Sequence, residues 1–225
     1  MNWSDLLQFS RGPFFQIALL VFVAGMFYRL ASILLLGWQR DRTPARGSKL
    51  GGVIKSYGKG LFILPFIPWV KNSFRSNAVT FIAGGLFHLG LFVVIFFGAA
   101  HMLVWKSLLG FGWFTLPLPI IDWMAAVAIV AMLVLAVNRL TNPVLKLLTG
   151  PAEWLNWLVV FLPFVTGYIM THRLWFPYEL LFSLHLITVN IMLIWIPFSR
   201  ISHFIFYFFS RTIHGTEYGK RAVSP

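Results

Sequence analysis

Five stretches of the chain run almost without charge, at 13–38, 78–105, 120–138, 154–170 and 178–198. Each is long enough, at ~1.5 Å per residue, to carry a helix across most or all of the ~30 Å of hydrocarbon in a bilayer. The pattern predicts an all-α integral membrane protein of five transmembrane helices, the fifth continuing as helix toward Phe209. Pro163 and Gly167 predict a kink in the fourth. The longest polar interval, 39–77, leaves no room for a separate soluble domain, so residues 1–225 read as one membrane domain. Within that interval an apolar patch at 61–70 is interrupted by Pro65 and Pro68. Two prolines in so short a segment rule out a span and fit an interfacial segment, with Lys59 and Lys71 as headgroup anchors. The first apolar run is too long for a signal-peptide core and lacks a small-residue cleavage site, so no cleavable leader is expected.

The formal net charge of +12 points at first to nucleic acid, but its distribution does not. Assigning loops alternately puts Arg11, Lys106 and Arg173 on one side. On the other lie Arg40, Arg42, Arg46, Lys49, Lys55, Lys59, Lys71, Arg75, Arg139, Lys146, Arg200, Arg211, Lys220 and Arg221. Such a bias predicts the N-terminus outside, the C-terminus in the cytoplasm, and lipid rather than nucleic acid as the surrounding partner. A bacterial or archaeal cytoplasmic membrane is the expected location. The basic loop 39–77 and the C-terminal tail then form a surface suited to an acidic cytoplasmic partner.

Titratable groups inside the spans are the candidate chemistry, because they are costly there and are functional by default. His185 and His203 are eighteen residues apart, five turns of ideal helix, which would put both on one face roughly 27 Å apart. Haem is the natural occupant of two such positions. The sequence has no cysteine, which excludes an iron–sulfur cluster held by this chain and covalent haem, so any haem is b-type. In the second span His88 lies beside Gly84, Gly85 and Gly90, small residues that would admit a flat macrocycle. His101 follows thirteen residues later, about 140° away on an ideal helix, so a bulge, tilt or kink is needed to bring both to one seam. Arg29 reads either as a snorkelling side chain or as a partner for a haem propionate, and Arg200, beside His203, as a second propionate partner. His172 and His214 read as solvated loop and tail histidines. Asp122 lies at the outer mouth of the third span, where it either caps the helix or accepts protons.

Leu184-His185-Leu186, Pro197-Phe198-Ser199-Arg200 and His203, together with Phe87-His88-Leu89-Gly90, resemble the gamma subunit of respiratory nitrate reductases, a five-span, di-haem cytochrome b. Gly25 with Tyr28-Arg29, Arg139-Leu140 with Pro143, and Thr149-Gly150 extend the resemblance from the first span to just past His203. It implies two b-type haems ligated across spans, His88 with His203 for the inner haem and His101 with His185 for the outer. It further implies a quinone or quinol substrate near the outer haem, and onward transfer to a cytoplasmic iron–sulfur subunit. Three departures stand out. The family spacing would put the second histidine of span two at Gly98 rather than His101. Asp122 stands where the compared member has a lysine. The inward loop 39–77 is about twice as long, which points to a different soluble partner, such as a heterodisulfide-reductase-like protein or a hydrogenase.

The leading expectation is therefore an electron-transfer subunit whose only substrate chemistry is with quinone, Asp122 serving proton transfer, and not the catalytic subunit for a terminal substrate. A haem-free membrane anchor is the alternative. A transporter would show an internal repeat with matching broken segments, and none is visible.

Overall fold

The computed structural model describes residues 2–35, 43–63 and 73–223, and every regular element among them is helical. In chain order these are α1 (Trp3–Arg11), α2 (Pro13–Leu35), α3 (Lys49–Gly58), α4 (Ser73–Ser76), α5 (Ala78–Phe97) and α6 (Ala99–Leu109). There follow α7 (Leu118–Thr141), α8 (Pro143–Leu148), α9 (Pro151–Thr171), α10 (Tyr178–Trp195) and α11 (His203–Lys220). A π-helical turn (Lys59–Ile63) extends α3, and two 3-10 turns, Ile196–Phe198 and Arg200–Ser202, lie between α10 and α11.

Five helical stretches are long and apolar enough to cross a bilayer: Trp3–Leu35, Ala78–Phe97, Leu118–Thr141, Pro151–Thr171 and Tyr178–Phe198. They overlap the five apolar runs, but the first begins ten residues earlier, at Trp3, and the second stops at Phe97 rather than reaching 105. Only 11% to 28% of each one's most apolar window is buried, so most of that surface needs lipid rather than water around it. Helix starts are locally encoded. Asn2 accepts from the Trp3 amide while Asp5 accepts from the Asn2 amide, which opens α1. Asn77 accepts from the Thr80 amide at 2.9 Å to open α5, and prolines occupy the first turns of α7, α8 and α9.

Two compact units emerge, one comprising Met1–Leu19 with Asn77–Leu193, the other Leu20–Ser76 with Ile194–Pro225. In the first, α7 packs against both α5 and α9. A Cβ on Gly90 would lie 2.6 Å from the Met124 carbonyl oxygen and 2.9 Å from the Ala128 Cβ, so α5 and α7 touch at their backbones there. Asn190, fully buried on α10, donates to the Ser10 carbonyl at 2.8 Å and ties α1 to that helix.

In the second unit α3 lies along α11. The contact runs through glycines: a Cβ on Gly215 would lie 2.5 Å from the Val53 Cα, and one on Gly52 would strike the Gly215 carbonyl. The Tyr57 hydroxyl donates to the Phe208 carbonyl at 2.8 Å, and the Arg46 amide donates to the Lys220 carbonyl at 2.8 Å. Part of the expected loop 39–77 is thus a docked helix, started by Ser48, whose hydroxyl accepts from the Gly51 amide. Arg40, Arg42, Lys71, residues 36–38 and residues 64–70 of the apolar patch lie outside the described residues.

Candidate cofactor-ligand site

The expected second span is not one helix. Gly98 adopts an extended backbone (φ −71°, ψ 130°) between α5 and α6. Breaking a helix strands its last four carbonyls, and in hydrocarbon no water can satisfy them. Each is met here. The Val94 carbonyl accepts from the Gly98 amide at 3.2 Å and from His101 Nδ1 at 2.9 Å. Ile95 accepts from Trp105 Nε1 at 3.0 Å, Phe96 from Trp113 Nε1 at 2.8 Å, and Phe97 from the Leu116 amide at 2.9 Å. The two indole rings that do this stack with Phe96, Trp105 at 5.5 Å and Trp113 at 6.4 Å between ring centres. The 140° offset of a single ideal helix does not apply, because His101 belongs to a separate helix from His88.

The consequence is a histidine pair. The ring centres of His101 and His185 are 6.3 Å apart with their planes inclined at 58°. Two metal–imidazole bonds of ~2 Å in line, with ~1 Å more from each nitrogen to its ring centre, separate the centres by about 6 Å. The pair therefore has the spacing of two axial ligands on one iron. On the His185 side, Nδ1 lies 3.3 Å from the Thr166 hydroxyl, which itself donates to the Leu162 carbonyl at 2.8 Å. A Cβ on Gly167 would lie 3.0 Å from His185 Cε1 and 3.2 Å from its Nδ1, so this glycine makes room for the ring against α9.

A shared device recurs at three of the four candidate ligands, where Nδ1 bonds a backbone carbonyl. His88 Nδ1 bonds the Gly84 carbonyl at 2.7 Å and His203 Nδ1 the Arg200 carbonyl at 3.0 Å, as His101 bonds Val94. A carbonyl only accepts, so Nδ1 carries the proton and Nε2 the lone pair, which is the arrangement found behind metal-ligating histidines. Positions equivalent to a Cβ on Gly84 and Gly85 meet no protein atom within 4 Å, leaving an open flank on the helix that carries His88. Among the described residues no cluster of three or more metal-ligating side chains occurs, and a haem iron asks only two of the protein.

No protein-family model matches the chain, and no solved structure does. Over 217 residues it is 30% identical to a protein of Nitratidesulfovibrio vulgaris (strain Hildenborough) described simply as "Protein", the match covering 95% of this chain and 93% of the other. The chain belongs to that protein's family. The likeness extends over nearly the whole length of both chains.

A second break lies between His185 and His203. The α-helix ends at Trp195, Pro197 enters a 3-10 turn, and Ser199 is extended (φ −127°, ψ 173°) before α11 begins at His203. The ideal five-turn register between the two histidines, expected from their spacing, does not hold, because proline and the 3-10 turns reset it. Arg29 attends this break. Its Nη1 donates to the Pro197 and Ser199 carbonyls, each at 3.0 Å, and to the Ser202 hydroxyl at 2.6 Å, while its guanidinium stacks 5.0 Å from the Phe206 ring centre. Gly25, one turn earlier, admits Pro197, whose Cβ would lie 2.6 Å from a Cβ there. Snorkelling and propionate binding were the readings open from sequence; the structure adds a third, satisfaction of carbonyls freed by the break. Arg200 is exposed and supplies the carbonyl that His203 bonds.

Asp122 does not cap α7. The cap position is Pro117, and no side chain bonds the first amides. Asp122 Oδ2 instead lies 3.9 Å from His172 Nε2, and the His172 ring rests 4.5 Å from that of Tyr168. His172, read from sequence as a solvated loop residue, is the C-cap just past Thr171 at the end of α9, 37% exposed, and opens a turn with Arg173 (φ 51°) and Trp175 (φ 66°) in left-handed backbone. Such conformations cost ~1 kcal/mol or more for residues with a Cβ. They persist because Arg173 and Leu174 donate to the Met170 and Ile169 carbonyls, each at 3.1 Å.

Proposed function

We propose that the protein is a membrane di-haem cytochrome b that carries electrons between a quinone pool and a cytoplasmic iron–sulfur subunit of a respiratory oxidoreductase. The single observation that carries the reading is the His101–His185 pair, 6.3 Å between ring centres and reached only through a helix break whose carbonyls are all satisfied. Nothing in apolar packing requires two imidazoles to face each other in hydrocarbon, and each costs free energy there. His101 and His185 would hold one b-type haem, and by the resemblance alone His88 and His203 would hold the other. When bound, the haems would supply reversible one-electron transfer between the two faces of the membrane.

The remaining parts of the reading are supported by the charge pattern and the resemblance. In the second unit, α3, α11 and the residues flanking them carry Arg46, Lys49, Lys55, Arg211 and Arg221, basic groups suited to an acidic soluble partner on the cytoplasmic side. The length of the interval holding α3 fits a partner of the heterodisulfide-reductase-like or hydrogenase type as well as nitrate reductase. Quinol would react at the outer mouth, where Asp122 is titratable and partly exposed. The Lys and Arg distribution supports an outside N-terminus in a bacterial or archaeal cytoplasmic membrane.

Pyridine haemochrome analysis of the purified chain tests the reading. Two non-covalent haems per chain are expected. A preparation from haem-replete cells with none would leave the haem-free anchor as the function.

A further inference from the structure

We propose that Asp122 and His172 act as one proton-accepting pair for quinol oxidation, with Asp122 the acceptor and His172 the exit to water. The assignment rests on the quinone-linked reading above and deepens it. Oxidation of a quinol breaks two O–H bonds and releases two protons and two electrons. The electrons go one at a time to the b-type haems of that reading, and the protons need a titratable path to the aqueous face.

The structure joins two residues that the sequence keeps fifty positions apart, on different helices. Asp122 is in the second turn of α7 and His172 is the C-cap of α9. Their facing atoms are 3.9 Å apart, within reach of an ion pair and one small side-chain rotation from a hydrogen bond. Resting geometry of this kind commonly tightens when substrate binds. Exposure is graded in the order a relay needs: 23% for the Asp122 side chain and 37% for His172. The carboxylate takes the two hydroxyl protons in turn, one with each electron, and passes each to Nε2 while the opposite edge of the imidazole gives a proton to water. Tyr168 holds the ring from one side, and the left-handed turn at Arg173 fixes the backbone behind it.

The neighbouring charges do not intrude. Arg173 lies over the Tyr178 ring at 5.6 Å, Lys106 is in the last turn of α6, and Glu179 is in the first turn of α10. Among the described residues no ion pair joins any of them to Asp122 or His172. Trp123 and Trp175, each close in sequence to one member of the pair, are 70% and 78% accessible.

The test uses the full chain in nanodiscs, as parent, Asp122→Asn, His172→Gln and the double variant. Menadiol is the electron donor and the rate of haem reduction is followed across pH. Dithionite reduction first establishes the haem spectrum in each variant. Each single variant should slow menadiol-driven reduction tenfold or more, and the double variant should be no slower than the worse single, because both residues lie on one path. The parental rate should fall on acidification and the variants' profiles should be flatter. Independently of turnover, infrared titration of the carboxyl band that Asp122→Asn removes should shift in His172→Gln. A normal dithionite spectrum with parental menadiol rates in both single variants overturns the pair and leaves the haem reading intact. Absence of the dithionite spectrum from the parent overturns the electron-transfer reading, and the pair's role falls with it.

Discussion

Arg29 separates a structural from a cofactor-binding reading of the same side chain, and Arg29→Met is the informative change. Methionine keeps the apolar stem and a favourable contact with Phe206, but removes every donor. Three hydrogen bonds are lost, to Pro197, Ser199 and Ser202. Their effects differ. The Ser199 carbonyl keeps the Ser202 hydroxyl as donor at 2.8 Å, whereas the Pro197 carbonyl loses its side-chain donor. A buried acceptor left unmet costs ~1–3 kcal/mol, and charge-assisted bonds contribute more than neutral ones. With partial replacement at Ser199, the net loss is about 2–4 kcal/mol, which for a chain of this size lowers the apparent Tm by roughly 5–15 °C. Arg29→Lys, retaining one ammonium that reaches one carbonyl, should fall about halfway. Thermal melts in detergent followed by circular dichroism, on protein stripped of cofactor, measure this directly. An Arg29→Met melt within 2 °C of the parent would refute the reasoning. Joined to a shifted haem potential in loaded protein, it would assign the guanidinium to a propionate.

Two further substitutions probe close approaches. In Gly167→Ala the new Cβ lies 3.0 Å from His185 Cε1, so the ring must move by a few tenths of an ångström and one haem should lose occupancy or change potential in a redox titration. An unaltered titration would show that the ring is not confined by α9. In Gly52→Val the new Cβ meets Gly215 and Gly219 backbone that cannot give, so α3 should detach and trypsin should cut at Lys55 and Lys59 faster by tenfold or more. An unchanged digestion rate would contradict the glycine-mediated packing.

The spans were legible in sequence because lipid imposes one rule on every residue of a crossing segment, and hydropathy reports it. What escaped depended on partners far along the chain. Gly98 is an ordinary glycine until Trp105, Trp113 and Leu116 supply the donors that let a helix stop there. The departure from the resembled spacing, a glycine where a histidine was due, has its physical counterpart in that break, which turns His101 toward His185. Pro197 was visible, but not the 3-10 turns it starts, nor the arginine 168 positions earlier that receives the freed carbonyl. Asn190 was overlooked in an apolar run; a lone amide in a span is itself a signal, here answered by the Ser10 carbonyl. The Ser48 cap of α3 was likewise present in the sequence, though its glycine-lined seat on α11 was not.

The central claim is that His101 and His185 are the two axial ligands of one haem. Redox titration of membranes carrying the parent, His101→Ala and His185→Ala, followed in the b-haem absorption band, tests it most directly. Each variant should lose one component, the same one in both, while the second component keeps its parental potential. Loss of different components, or retention of both haems in either variant, would contradict the account.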